Sequence, residues 1–471
     1  MRVVGAAILV TTVLVVGCDS GSDDTVSDSV QESTADSGGA DWPLSNHDLA
    51  NTRYNAHDTA ITPANVGDLS EGWSVDGLVG VSGTPTVVDD VAYFGDWIGM
   101  VRAVEPDSGD EIWTAELGGS ILGSPAVDGQ ALYVASGSTL SRLDRDTGDV
   151  VWETSTHEHP FAMISASPVV ADGLVFQGVA SGEVAVPMPD YTFRGSIAAY
   201  DAETGSEVWR LVTTPGDDTA GAGVGIWSTP AVDTERGLLY VGTGNTYEEP
   251  TSPLADGLLA IEYETGDIAW STQFTNPDVF SAGNPTGKDA DVGAAPNLWT
   301  SGDLDLVGAG DKTGVYRALD RDTGAVVWET ELTPGSVFGG DIGTSAFVDG
   351  KLVVASNVGN PDTNVPTNAA KVFALDPATG DIQWESDDLE GSIYAPVSGV
   401  SGVAFVGTTN GDFFALESAT GEELWTYEAP AQTGCGPAIV GGNVLWGYGF
   451  RLFEGTGDGG LISFQLDTDG S

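Results

Sequence analysis

One phrase recurs along this chain and constrains its fold more than any other feature. It consists of an aliphatic residue or Tyr, an acid, two variable residues, usually a Thr, then Gly, and a Trp four positions beyond the Gly. It reads Leu143-Asp144-Arg145-Asp146-Thr147-Gly148 before Trp152, and it returns before Trp209, Trp270, Trp328, Trp384 and Trp425. A variant, Val104-Glu105-Pro106-Asp107-Ser108-Gly109, precedes Trp113. Self-similarity at a period of this size marks an array of supersecondary units, none of which buries its apolar face alone. The acid and Thr suit a turn in which side chains bond local backbone, and Gly accepts a positive φ. Short apolar runs flank each turn. Gly83-Thr84-Pro85-Thr86-Val87-Val88, followed by Asp89-Asp90 and Val91-Ala92-Tyr93-Phe94, reads as a hairpin. Ser124-Pro125 with Asp128-Gly129 repeats the design. Each unit therefore reads as four antiparallel strands.

The two ends complete one another. Trp73 has no preceding phrase, and Leu466-Asp467-Thr468-Asp469-Gly470 has no following Trp. The spacing predicts that a C-terminal strand from Leu461 and an N-terminal strand at Trp73 share one unit. The fold class is then all-β: an eight-bladed β-propeller of four-stranded antiparallel blades, closed by N- and C-terminal strands. Radial closure protects the sheet edges.

The units are unequal. Trp73, Trp113 and Trp152 are spaced by roughly forty residues, as are Trp384 and Trp425. From Trp152 to Trp384 the spacing is nearer sixty, while the strand phrases are unchanged. Long loops in a compact fold are usually functional. Four enlarged units in succession predict a rim over one side of the ring, and a site beneath it.

The N-terminus is built differently. Met1-Arg2 is followed by the apolar stretch Val3 to Val16 and by Val15-Val16-Gly17-Cys18. The stretch is short for a bilayer span and suits a signal segment. The tetrapeptide resembles a lipobox, so residues 1–18 are expected to be a lipoprotein signal peptide and Cys18 the lipidated residue. Residues 19–41 are rich in Ser, Asp and Gly and cannot bury enough apolar surface to order themselves; they are expected to be a disordered linker. The propeller is expected over 42–471. The chain should be extracytoplasmic, with the lipid anchor as its sole membrane contact.

Charge excludes some partners. With 15 basic and 70 acidic residues the formal net charge is −55. Such a surface repels phosphate backbones, so nucleic acid is not expected. The composition is that of a halophilic, acidic protein. Two cysteines, Cys18 and Cys435, rule out a disulfide framework, and there is no CxxCH haem attachment sequence.

The phrase resembles that of the quinoprotein propeller superfamily over about residues 42–471. Longer stretches are similar to the pyrroloquinoline-quinone (PQQ) alcohol dehydrogenases, particularly the polyvinyl-alcohol dehydrogenase type. These are His47-Asp48-Leu49-Ala50-Asn51-Thr52-Arg53, Tyr191 to Tyr200, and Leu306 to Leu319. The resemblance implies PQQ and Ca²⁺ as cofactors, an alcohol as substrate, either small or polymeric, and a separate electron acceptor.

It also implies site residues. Trp227, 18 residues before Asn245, corresponds to the floor under the quinone rings, and Asn245, ending Gly242-Thr243-Gly244-Asn245, to a calcium ligand. Neutral amide oxygen beside carboxylates suits Ca²⁺. Asp289, in Asp289-Ala290-Asp291, corresponds to the catalytic base and a metal ligand. Lys312 corresponds to the cation at the reactive quinone oxygens, where it would stabilise arriving negative charge. Glu183 is the second carboxylate ligand implied. Ser165 falls where the family usually has Thr and can donate to a cofactor carboxylate or be a plain strand Ser. Asn357 can bond the quinone edge or serve as a turn residue. Three departures stand out. Lys288 occupies the place of a common Trp, and there is no disulfide of adjacent cysteines over the cofactor; Ser136-Gly137-Ser138 falls near that point instead. The missing haem sequence sends electrons to another carrier. The same turn phrase also occurs in cofactor-free scaffold lipoproteins that help assemble outer-membrane proteins, which is the competing reading.

Overall fold

The computed structural model describes residues 41–214, 221–450 and 459–466. The expected signal segment with Cys18, nearly all of the linker and the final turn phrase lie outside them. Eight four-stranded antiparallel sheets follow one another, some with a short extra strand at an edge. Blades 1 to 7 begin with Thr86–Val88, Ala126–Asp128, Val169–Ala171, Ala231–Asp233, Asn297–Ser301, Ala346–Val348 and Ser398–Val400. Blade 8 begins with Ala438–Val440 and is completed from the other end of the chain. Its strand Gly459–Leu466 pairs antiparallel with Leu69–Leu78, with Ser463 opposite Trp73. The expected closure is thus the observed one.

The repeated Trp and Gly belong to one contact made between blades. Each Trp stands on the outermost strand, and its indole N–H donates to the next blade, at the turn phrase for Trp73 to Trp384 and at the Leu69 carbonyl for Trp425. Trp73 reaches the Pro106 carbonyl at 2.8 Å, Trp113 reaches Arg145 at 2.9 Å and Trp209 reaches Tyr263 at 2.8 Å. The turn Gly lies under the same ring. At Gly324, where φ is +68°, an added Cβ would sit 2.5 Å from Trp270. Gly is therefore required twice over, by its dihedral and by the approach of the indole. A bulge precedes the Trp in every blade and turns the strand so that the ring faces its neighbour. Second strands such as Ala131–Ser136 and Val403–Gly407 are buried along their whole length because blades cover both faces.

The segment His47–Arg53 has a role that its sequence did not disclose. Residues 42–55 pass around the ring, touching the inner strands of successive blades. Carbonyls of Trp42, Pro43, Leu49, Ala50, Thr52 and Arg53 accept from Val87, Val127, Val232, Leu298, Phe347 and Gly399, and the Asn55 side chain donates to Ile439. Leu44 packs into the cluster of Val170 in blade 3. The segment lies toward the hairpin turns between first and second strands, where Asp41 meets Asp89. Arg53 is fully buried at its centre, donating to the carbonyls of Ser45 at 2.6 Å and Val397 at 2.5 Å and to the Ser398 hydroxyl. It ties the segment to the loop before blade 1 and to blades 7 and 8.

The added residues of the enlarged blades gather at the opposite end, in the connections between second and third strands and between blades. They are laced together. Gly223 bridges Arg194 and Thr246, Thr246 bridges Val279, and Gly340 bridges Asn357. This is the expected rim.

Candidate functional site

The site is built where the rim loops of blades 3 to 5 meet. The loop before blade 4 carries Trp227. The connection at the end of Leu238–Gly242 carries Asn245, the loop before blade 5 carries Asp289 and Asp291, and the turn after Leu304–Gly310 carries Lys312. Backbone bonds fix these loops to one another. Val224 N–H donates to the Asn245 carbonyl at 2.8 Å, Gly244 N–H to Gly225 at 2.9 Å, and Lys312 N–H to Asp291 at 3.0 Å. Val224, Asp256 and Asp289 hold φ values of +54°, +52° and +60°. These are costly for residues with a Cβ, most of all a β-branched one, and such positions cluster at functional sites.

The structure brings Trp227, Asn245, Asp289 and Lys312 together. The Lys312 ammonium is 2.9 Å from Asp289 and 2.8 Å from Asp291, and 5.7 Å from the centre of the Trp227 ring, within cation–π range. Asp291 also accepts from the Asn245 backbone N–H at 2.6 Å. Trp227 is half-buried and stands against Gly293, whose missing Cβ makes room for the ring. The Asn245 amide nitrogen donates to the carbonyls of Thr246 at 2.8 Å and Phe280 at 2.7 Å. Its oxygen accepts no hydrogen bond among the described residues. Asp289 likewise keeps one carboxylate oxygen outside the Lys312 bond.

Charge at this site is unbalanced. Asp256, Asp278, Asp289 and Asp291 are buried around a single Lys among the described residues. Burial is the largest cause pushing the Asp289 carboxyl up to about 7; Lys312 draws it down and Asp291 raises it further. Burial opposes the Lys312 charge, but the two carboxylates outweigh it and hold the ammonium above its usual value. Asp256 is raised well above the usual range by burial, then by Asp291.

Other implied residues are placed differently. Glu183 is fully buried, but its carboxylate accepts the backbone N–H groups of Thr192, at 3.1 Å, and Phe193, at 2.9 Å, with His159 at 3.5 Å. It is held toward its own loop. Asn357 is also fully committed: its amide donates to the carbonyls of Gly340 and Ile393, and its oxygen accepts from Ile393 N–H at 2.6 Å. It fixes the backbone beside Tyr394, a residue whose charge environment includes Lys312. Ser165 is partly exposed, one residue from Ile164, which bonds Gly137. Among the described residues no three His, Cys, Asp or Glu side chains converge as a ready-made metal cage.

Sequence reasoning missed Asp256 and the aromatic rim. Trp97 meets Phe450 at 5.8 Å, Phe450 meets Tyr394 at 6.2 Å, and the Tyr394 hydroxyl donates to the Phe338 carbonyl at 3.0 Å. These residues lie far apart in sequence and meet because ring closure makes their blades neighbours, so no local pattern links them. Asp256 looks in sequence like an ordinary Asp-Gly turn.

Comparison with known proteins bears on the fold and the family. A family profile described as "Glucose/ethanol/alcohol dehydrogenase, beta-propeller domain" matches residues 146–337, and one described as "Outer membrane protein assembly factor BamB" matches 34–190 and 368–470. The chain is 28% identical to a polyvinylalcohol dehydrogenase of Pseudomonas sp., over 89% of this chain and 76% of that protein. Its fold superposes on the crystal structure of quinohemoprotein alcohol dehydrogenase from Comamonas testosteroni with a TM-score of 0.75, at 22% identity, covering 92% of this chain and 81% of the other. BamB from Moraxella catarrhalis superposes with a TM-score of 0.56 at 16% identity, covering 85% and 98%. The recurring phrase, the closed ring of eight blades and these matches show that the chain belongs to the quinoprotein, PQQ-type β-propeller family.

Proposed function

We propose that this protein is a PQQ- and Ca²⁺-dependent dehydrogenase that oxidises alcohols, secondary or polyhydroxylated, and passes the electrons to a separate acceptor. The observation that carries this reading is the meeting of Trp227, Asn245, Asp289 and Lys312 under the rim. A scaffold has no need to bury a lysine between two carboxylates beside a half-open indole.

The residues fit the implied groups. Trp227 offers a flat aromatic platform. The unbonded Asn245 amide oxygen and the spare Asp289 oxygen are hard donors of the kind Ca²⁺ takes, and the excess of buried carboxylate favours a cation. When bound, PQQ would supply the two-electron acceptor and Ca²⁺ the polarisation of its carbonyl. Asp289 receives the hydroxyl proton as the carbon loses hydride, which requires the ionised carboxylate. Lys312 places a fixed positive charge where negative charge accumulates. Ser165 would donate its hydroxyl to a cofactor carboxylate, and Asn357 holds the backbone that leads to Tyr394. Glu183 would join the metal ligands by turning from its backbone partners. The uncharged rim of Trp97, Phe450 and Tyr394 suits the carbon skeleton of an alcohol. We further propose export and tethering through lipidated Cys18, which would leave the site outside the cytoplasm.

The direct test is a titration of the salt-maintained protein with PQQ, with and without Ca²⁺, following tryptophan fluorescence. Saturable, Ca²⁺-dependent quenching that Trp227→Ala weakens is expected, together with alcohol-dependent reduction of an artificial acceptor. A folded protein that binds no PQQ would leave the scaffold reading, and partner capture would then decide it.

A further inference from the structure

Asp256 immediately precedes the strand Gly257–Glu262 of blade 4 and has no exposed surface. Neither of its carboxylate oxygens has a hydrogen-bond partner among the described residues. Its backbone is well tied: the N–H donates to the Gly244 carbonyl at 3.2 Å, and the carbonyl accepts from Phe274 N–H at 2.8 Å. The chain holds it at φ +52°, a conformation that Asp tolerates at a cost. An unbonded buried carboxylate is among the most unfavourable features a fold can carry. Here it is retained beside three others.

Backbone bonding sets Asp256 beside Asn245. Its N–H is bonded to the carbonyl of Gly244, and the Asn245 N–H that follows donates to Asp291. The charge of Asp256 interacts most strongly with Asp291, then Asp278 and Asp289, with Lys312 opposing them. The neighbours are otherwise occupied. Asp278 accepts the backbone N–H groups of Lys288 and Ala290, and Asp291 accepts from Asn245 and Lys312. Of these four, Asp256 alone offers two free oxygens, in a cluster holding more negative charge than Lys312 can balance.

We propose that Asp256 is a further anionic member of the cation site, supplying charge that holds a divalent ion at Asn245 and Asp289. This rests on the cation reading given above. Without the ion, Asp256 opposes folding because its carboxylate is buried without a donor, and the neighbouring carboxylates add to that cost; with it, Asp256 adds to affinity. One substitution should therefore act with opposite signs in the two states.

The test is calorimetric titration of the chelator-treated, PQQ-free full chain with Ca²⁺ at fixed high salt, paired with melting curves. Asp256→Asn is expected to weaken Ca²⁺ binding about 10–100-fold, the range for supporting groups of a metal site. It is also expected to raise the melting temperature of the ion-free protein and shrink the Ca²⁺-induced rise. Asp303→Asn, the same charge change on the surface, should do neither. If Ca²⁺ binding is lost in Asp289→Asn but unchanged in Asp256→Asn, this inference fails alone. If the unmodified protein binds no Ca²⁺, the cation reading itself fails. An ion-free Asp256→Asn protein less stable than its parent, or unfolded, also overturns the proposal; Asp256→Ser repeats the measurement with a smaller side chain.

Discussion

The Lys312 ammonium is bonded to the Asp289 carboxylate at 2.9 Å, so the two groups that the proposed oxidation uses are held to one another before any ligand arrives. Asp291 completes the bridge from the other side at 2.8 Å. Removing the cation leaves two buried carboxylates facing each other. Lys312→Met should cost about 3–5 kcal/mol at pH 8, measured by chemical denaturation of the ion-free protein. The loss should be smaller at pH 5, where Asp289, with its value raised to about 7, can take up a proton. An equal loss at both pH values would show that the bridge does not carry the effect.

Asp289→Asn should lower kcat by about 10²–10⁴, with circular dichroism unchanged. The parent should gain activity with rising pH as Asp289 ionises. In the ion-free protein that ionisation is centred near 7, and a bound cation, favouring the charged form, shifts the limb to lower pH. Full turnover by Asp289→Asn would remove it as the base.

Asp341 reports on pH beside the Lys312 turn, where its backbone N–H donates to the Asp311 carbonyl at 2.9 Å. It is fully buried, neither oxygen has a hydrogen-bond partner of good geometry among the described residues, and the adjoining Ser356 hydroxyl is bonded to Thr333. Burial raises its carboxyl well above 3.8. The folded state therefore holds this proton more tightly than the unfolded state. Its stabilisation is complete below the unfolded value and is lost as pH rises through the folded one. Asp341→Asn should flatten the fall of stability with pH by up to about 1.4 kcal/mol per unit over that range. Parallel stability curves for variant and parent would contradict this.

Arg53 tests how the N-terminal segment is tied to the ring. It is desolvated enough that its guanidinium falls to about 9, yet its donors satisfy acceptors from four parts of the ring. Arg53→Met should cost about 3 kcal/mol or more by stranding those acceptors. Arg53→Lys should not restore the loss, since an ammonium cannot reproduce the fork. Denaturant melts of both variants decide the matter.

Net charge sets a condition on all these measurements. At −55 the surface repels itself over a Debye length of about 10 Å at 0.1 M salt and about 3 Å at 1 M. Melting temperature should rise steeply between these conditions. A flat response would show that the acidic surface is not an adaptation to salt.

Much of the architecture was legible in the sequence because each blade is a local unit. The acid, Thr and Gly of a turn bond within a few residues: Asp144 accepts from Thr147 N–H at 3.0 Å, and the Thr147 hydroxyl from Asp149 N–H at 3.2 Å. The period then dictated the number of blades, and the unmatched ends dictated their closure. Trp227, Asn245, Asp289 and Lys312 could be singled out by the resemblance to the PQQ alcohol dehydrogenases. Their partners could not. Trp73 meets Pro106 and Gly109 of the next blade, and Arg53 meets Ser398 and Pro437, only because the ring closes. Asn357 could have been a ligand or a turn residue until the loops on both sides took up its amide. Glu183 met donors nine and ten residues further along, across a loop of no regular period. Asp256 had no signal at all, since an Asp-Gly pair before a strand is normally solvated. Sequence determined the repeat and the types of chemistry available. Burial, and with it the choice of which charges are paired and which are left open, was decided by tertiary structure, because it depends on rim loops meeting across blades.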